Sequence, residues 1–437
     1  MTDQELFSVL IRWNYWDKGE IPDLIRRREV EFLHRYFSGN LVQIIKGPRR
    51  AGKSSILKVF YNDLRGSRDP LSFLFINLED VSLAQEESSP QLLERLYRLY
   101  RQRVNPSGKA IVFIDEAQRI SGWERWVETY REIGEAKFFI TGSSSKLSSK
   151  ELGTLLTGRH IDLTLYPFSF RDFVASRGFG FDELSLYAKK DQIKNLLFSY
   201  FETGGFPEVL LNYGPDEGME ILETYFDDMI YRDIVERWGV RDVQLLKRIA
   251  LYALKNSGNL MTYRQLQRLI EQVSGKTSTN TISEHMSHLI EAYIVFELTL
   301  YSNSIKKSIQ RPRKLYSVDT GLRKAVVKPF TDDFGRDAEN VVFIELLRRR
   351  YKVNYWRNNE TEVDFIALGR KRNVAINVTM SNIERKDLRD RELKGLVDFP
   401  GKEFERILIT DDLEDELKIE GKKITLLPLW KWLLLEQ

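Results

Sequence analysis

Gly47-Pro-Arg-Arg-Ala-Gly-Lys-Ser54 follows the apolar run Leu41-Val-Gln-Ile-Ile45, and this succession decides the fold class. The apolar run reads as a buried strand that ends at a glycine. The eight residues after it match G-x-x-x-x-G-K-[ST], and the stretch that follows is compatible with a helix. Strand, loop and helix in that order are the context the P-loop requires. Its glycines let backbone N–H groups wrap phosphates, and the helix N-terminus that follows favours negative charge. Gly47, Pro48, Arg49, Arg50, Ala51, Gly52, Lys53, Ser54 and Ser55 are therefore expected to cradle a nucleotide, taken as ATP. Lys53 would reach the β- and γ-phosphates and Ser54 would ligate Mg2+.

Working outward, Phe73-Leu-Phe-Ile-Asn77, Ala110-Ile-Val-Phe-Ile114 and Lys137-Phe-Phe-Ile-Thr141 read as further strands, separated by helical stretches such as Ser89 to Arg103. Alternating strands and helices predict an α/β fold with a parallel sheet covered on both faces. The third strand runs into Asp115 and Glu116. Asp115 would hold the magnesium, and Glu116 would orient and polarise the attacking water, so two carboxylates here imply hydrolysis rather than binding alone. The next strand ends in Thr141-Gly-Ser143-Ser144-Ser145, a sensor position for the γ-phosphate. Ser143 is the candidate there, with Thr141 the alternative. Phosphoryl transfer gains most from a cation on the transition state. Arg159 is the candidate, with Arg131 and Arg232 the other choices; if it acts in trans, the active site lies between subunits and the enzyme must be oligomeric.

Composition narrows the remaining chemistry. At 437 residues the chain is long enough for about three domains. There are no cysteines and only four histidines, which removes disulfides, thiolate zinc sites and cysteine nucleophiles. No run approaches the length needed to cross a bilayer, and Met1-Thr2-Asp3-Gln4-Glu5 lacks a signal-peptide pattern, so a cytoplasmic protein without membrane contact is expected. Net charge is +3, from 67 Lys and Arg against 64 Asp and Glu, so any case for nucleic acid must come from a local patch. The triplets Arg26-Arg27-Arg28 and Arg348-Arg349-Arg350 read as solvated helix faces.

The full set of motifs resembles a family of AAA+ type prokaryotic ATPases with a C-terminal nuclease-like domain. The matching stretches are the P-loop, Ile114-Asp-Glu-Ala-Gln118, Ile140-Thr-Gly-Ser-Ser-Ser145, Tyr166-Pro-Phe-Ser-Phe170, Gly204-Gly-Phe-Pro207, Lys314-Leu-Tyr-Ser-Val-Asp-Thr-Gly321 and Glu362-Val-Asp-Phe365. Some similar archaeal ATPases look like ring-forming motors that bind branched DNA and move Holliday junctions. The resemblance thus implies a homo-oligomer, a hexameric ring, with DNA as partner and branch migration as activity. Four regions are expected: an AAA+ like core over 1–165, a helical lid over 166–241, a winged helix over 242–328, and a restriction-endonuclease-like domain over 329–437.

In the third region, helices at Val243 to Lys255, Tyr263 to Ile270 and Thr281 to Ala292 precede two extended segments around a basic loop, the order of a winged helix. Lys306, Lys307, Arg311, Arg313 and Lys314 lie on that loop, where a wing would grip phosphate. His285 and His288 share a helix face but lack the company of a metal site. In the fourth region, Glu339, Glu362-Val-Asp364 and Ala375-Ile-Asn377-Val-Thr379 resemble the order E…D…(D/E)-x-K, with Asn377 and Thr379 where a carboxylate and a lysine would stand. Cleavage is therefore expected to be weak or absent, with Lys386 a conceivable substitute. Two alternatives stand beside the DNA motor: an ATP-gated, metal-dependent nuclease, and a nucleotide switch that controls a protein partner without DNA.

Overall fold

Five parallel strands, β1 (Val42–Lys46), β2 (Phe73–Asn77), β3 (Ala110–Asp115), β4 (Ala136–Gly142) and β5 (His160–Thr164), lie in the order β2-β3-β4-β1-β5. The computed structural model describes residues 1–143, 156, 158–302, 304, 311–328, 333–380 and 386–435, with the backbone alone for 386–390. It divides into two units, Met1–Leu165 and Tyr166–Gln437.

In the first unit the side chains of each strand alternate between two cores, as the two-residue period of a strand requires. Val42, Ile44, Leu74, Ile76, Val112, Ile114, Phe138 and Ile140 face the helices Asp3–Trp13, Pro90–Arg103 and Trp123–Glu132. Ile45, Phe73, Ile111, Phe113 and Phe139 face Val30–Arg35 and Lys53–Arg65. Each such side chain contributes about 1.5–3 kcal/mol by leaving water. Four strands stand where the apolar runs put them. The fifth carries no such run: of His160–Thr164 only Leu163 is fully buried. It lies at the sheet edge, where a polar sequence guards against pairing with other chains.

The second unit begins with helices Phe170–Ser176, Glu183–Ala188, Lys190–Thr203, Pro207–Asn212 and Pro215–Ile230, the last running on through a π-helical turn, Tyr231–Val235. Helix Val243–Lys255, β6 (Leu260–Met261), helices Tyr263–Ser274 and Thr279–Glu291, β7 (Val295–Leu298) and β8 (Arg313–Ser317) follow. The three strands pair antiparallel in the order β6-β8-β7. After helices Thr320–Val327 and Phe334–Arg348 comes a six-stranded mixed sheet, β9 (Lys352–Arg357), β10 (Glu362–Leu368), β11 (Asn373–Val378), β12 (Phe404–Thr410), β13 (Asp415–Ile419) and β14 (Lys422–Pro428), in the order β13-β14-β12-β11-β10-β9.

Two of the distinctive motifs explain each other. Asp319 caps helix Thr320–Val327 by accepting from the Leu322 N–H at 2.9 Å, and its other oxygen accepts from the Gly205 N–H at 2.6 Å. Gly204 has φ +70°, and a Cβ there would lie 1.9 Å from Asp319 Oδ1. A Cβ on Gly321 would lie 2.4 Å from the Thr203 carbonyl carbon. Gly204-Gly-Phe-Pro207 and Val318-Asp-Thr-Gly321 are thus the two halves of one buried joint.

The arginine triplets are corrected. Arg27 is buried, not solvated, and neither it nor Arg26 is helical. Arg348 and Arg349 both pair with Glu345 and donate to the carbonyls of Pro167 and Trp432, each at 2.9 Å. Their planar donor forks suit buried carbonyls as well as they suit water.

Asp319→Ala should destabilise the second unit by about 1–3 kcal/mol in chemical denaturation, the cost of leaving buried N–H groups unpaired. Burial pushes the Asp319 carboxyl up to about 6 against the backbone hydrogen bonds that favour its charge. The folded state then holds the proton more tightly than the unfolded chain, and stability from this group falls as pH rises through that value. The penalty of Asp319→Asn should accordingly shrink between about pH 4 and pH 7.

Candidate nucleotide site

The P-loop begins where β1 ends. Leu165 donates its N–H to the Lys46 carbonyl at 2.7 Å, and the chain then turns at Gly47 so closely that a Cβ would stand 2.0 Å from the Leu165 oxygen. Gly52, at φ +91°, leads into helix Lys53–Arg65. Arg50 is left-handed at φ +65°, a conformation that costs a non-glycine residue about 1–3 kcal/mol and marks a built loop. The buried Arg27 donates to the Ala51 carbonyl at 3.0 Å, a support missed in the sequence because a run of three arginines reads as surface. Arg49 pairs with Glu79 at 2.9 Å.

Lys53 is buried, and its ammonium donates to the carbonyls of Gly47 at 3.2 Å and Pro48 at 3.0 Å, with Glu116 at 3.7 Å. Ser54 Oγ donates to Asp115 Oδ2 at 2.5 Å, so the hydroxyl and the carboxylate expected to share a divalent cation stand face to face across the loop. Asp115 also accepts from Thr141 Oγ1. Burial pushes its carboxyl above the ordinary range, against these two hydrogen bonds. A divalent cation would reverse that by favouring the charged form. The donor set and the glycine-lined cradle fit a nucleotide with such an ion.

Glu116 sits at the strand end in a left-handed conformation, φ +56°, and donates its N–H to Thr141 Oγ1 at 3.1 Å. Gln118 donates to Glu116 Oε2 and lies 3.3 Å from Ser143 Oγ. Both sensor alternatives therefore join the cluster by different routes. Thr141 holds Asp115 and the Glu116 backbone, while Ser143 reaches Glu116 through Gln118. Gln118 was in plain view in Asp-Glu-Ala-Gln, without a signal to set it apart.

Arg159 does not join this cluster. It precedes β5 at the end where His160 pairs with Val42, whereas the P-loop follows Lys46, about 13 Å along the sheet. It ion-pairs with Glu128, as does Arg131 at 2.7 Å. Arg232 lies in the second unit, 3.9 Å from Asp228. None of the three is placed beside Lys53 by its own chain's first unit.

The expected phosphate grip on the second unit is corrected in part. Lys314 is not on a surface loop: it lies within β8, and its ammonium is buried among Glu339, Glu362 and Asp364. Arg313 reaches Glu297 at 3.3 Å and stacks its guanidinium over Tyr263, 4.5 Å from the ring centroid. Arg311 is exposed, and Lys306 and Lys307 lie outside the described residues. The side chain of Lys386 is likewise outside them. His285 and His288 are buried, with His288 stacked on Trp238 at 4.7 Å between ring centroids. Among the described residues no group of three or more histidines and carboxylates is arranged to hold a metal ion.

A family model described as an AAA domain matches residues 39–174, which contain all of the loop, strand ends and carboxylates just described. Those residues form an AAA domain. The match supports an ATPase. Residues 194–333 and 334–432 match two domains of unknown function, DUF8612 and DUF4143. A Haemophilus influenzae protein described as uncharacterized is 28% identical over 410 residues, covering 93% of this chain and 98% of that protein. A second uncharacterized protein, from Methanocaldococcus jannaschii, is 29% identical over 410 residues, covering 90% and 88%. A solved structure of a Walker-type ATPase from Pyrococcus abyssi is similar with a TM-score of 0.47 at 14% identity, covering 70% of this chain and 96% of that one.

Glu116→Gln should keep nucleotide affinity and lower the rate of phosphate release by about 10²–10⁴-fold, the range for loss of a positioned base. Lys53→Ala should lose both. Gln118→Ala should lower the rate without changing affinity, because it touches Glu116 and Ser143 but not the cradle. Phosphate release and equilibrium nucleotide binding, measured side by side, check all three.

Proposed function

We propose that the AAA domain hydrolyses ATP to drive a motor that binds DNA, acting on branched DNA such as Holliday junctions and coupling hydrolysis to remodelling or branch migration. The observation that carries the hydrolytic part is the convergence of Lys53, the Ser54–Asp115 pair and Glu116 on one loop. Mg2+ bound with ATP would supply charge neutralisation at the phosphates, held by Ser54 and Asp115. Lys53 exchanges its carbonyl contacts for phosphate oxygens. Glu116 orients the lytic water and takes its proton, kept in place by Gln118 and by its backbone bond to Thr141. Ser143 acts as the sensor through the same glutamine.

The assembly in this reading is a homo-oligomeric ring of six subunits, with Arg159 reaching the neighbour's nucleotide. Its position before the edge strand, on a side chain about half exposed, supports a role between subunits more than within one. The DNA contact falls to a winged helix over 242–328. The helix order, the three-stranded sheet and the exposed Arg311 support it, and the sequence places Lys306 and Lys307 between β7 and β8. The nucleotide-switch alternative draws on a single observation, the withdrawal of Arg313 and Lys314 from that surface.

ATP turnover measured with no nucleic acid, single strand, duplex and a four-way junction tests the load, with the junction expected to stimulate most. Charge reversal at Lys306, Lys307 and Arg311 should weaken junction binding and flatten its salt slope by about one for each phosphate that is no longer neutralised. Equal turnover in all four conditions, with no binding near physiological salt, would leave the switch as the better account.

A further inference from the structure

The resemblance to a restriction-endonuclease-like fold implies a divalent ion near Glu339 and Asp364, and the residues present do not fit one. Lys314 Nζ lies 2.7 Å from Glu362 Oε1, 2.9 Å from Asp364 Oδ1 and 3.0 Å from Glu339 Oε1. The ammonium donates to Glu339 and Asp364 and is ion-paired with Glu362 as well. Tyr316 adds its hydroxyl to Glu339 at 2.6 Å. The other oxygen of Asp364 accepts the Val378 N–H at 3.1 Å. Asn377, at the place of a metal-binding carboxylate, turns its carbonyl oxygen onto the Asp364 N–H at 3.0 Å and its amide onto the Glu392 carbonyl at 2.9 Å.

The charge is balanced from the flanks as well. Arg357 approaches Glu362 at 3.8 Å, and Arg391 pairs with Glu392 at 2.8 Å. Burial would pull the Lys314 ammonium down, but Asp364, Tyr316, Glu339 and Glu362 together hold it well above the usual lysine range. Magnesium demands a near-octahedral shell of oxygens, most of them with lone pairs to spare. Here both oxygens of Asp364 and Oε1 of Glu339 already accept from donors of the fold, and Glu362 Oε1 is ion-paired with Lys314.

We propose that Lys314 is the resident cation of this carboxylate cluster, standing where the resemblance implies a metal. It fastens β8 to the helix Phe334–Arg348 and to β10, and the C-terminal sheet carries out no metal-dependent cleavage of DNA. The lysine absent from position 379 has in effect been supplied by another strand, as a counter-ion instead of a partner to a metal. This inference is independent of the nucleotide site and goes beyond the ATPase reading.

The test is Mn2+ binding to the full chain without nucleotide, followed by calorimetry and by the spin-resonance signal of the free ion. Wild type should bind no Mn2+ below about 1 mM, and its melting temperature should be the same in Mn2+ and in chelator. Lys314→Met should bind one Mn2+ per chain at least tenfold more tightly than wild type, and adding Asp364→Asn should abolish that site. Should Lys314→Met fail to fold, Lys314→Met with Glu362→Gln removes one unpaired charge and is expected to fold and to bind the ion. Tight Mn2+ binding by wild type that Asp364→Asn removes would overturn the proposal. So would folded Lys314 variants that bind no ion, or Mg2+-dependent DNA cleavage by wild type that is lost in Asp364→Asn.

Discussion

A single close approach governs the first unit: the Leu165 carbonyl oxygen occupies the space that a side chain at position 47 would need. The edge strand β5 and the start of the P-loop are therefore built against each other, and the bond from the Leu165 N–H to the Lys46 carbonyl fixes their register. Everything chemical follows from where the loop then points. Its helix presents Lys53 and Ser54 toward the ends of β3 and β4, where Asp115, Glu116 and Thr141 stand because parallel strands end on the same side of a sheet. Ligands gather at that end in open α/β sheets for the same topological reason.

A second theme is the use of cations inside the molecule. Arg27 supports the P-loop from beneath. Lys137 donates to the carbonyls of Tyr36, Gly39 and Leu41 at 2.6–2.9 Å, and burial pushes it down to about 8. Arg323 and Lys324 both pair with the buried Asp337. Lys314 belongs to the same pattern. A buried charge is costly unless it is paired and hydrogen-bonded, and each of these has partners within the fold.

This explains what could and could not be seen in the sequence. Strands β1 to β4 were legible because each carries a largely buried apolar run, including β2 at the other edge, and the P-loop because its spacing has a mechanism. Asp115 and Glu116 followed from the end of such a run. β5 was not legible, since an edge strand with one fully buried residue has no pattern to detect. Charge runs misled: sequence separates Lys314 from Glu339 and Asp364 by 25 and 50 residues, and no local rule brings them together. Arg159 could be nominated from its place in the order of motifs, but its distance from the loop within one subunit is a fact of strand direction.

The joint at Asp319 bears on how such proteins can be rearranged. Its carboxylate caps the start of a helix on one side and receives a backbone N–H from more than a hundred residues earlier on the other. The segment that carries Gly204 and Gly205 is therefore complete only when the chain has returned through the intervening helices and the three-stranded sheet. Swapping either piece for that of an unrelated protein would leave an unmet donor on one part and a stranded carboxylate on the other. The two ends of the region from Gly204 to Gly321 are thus mutually dependent, each supplying what the other leaves unmet.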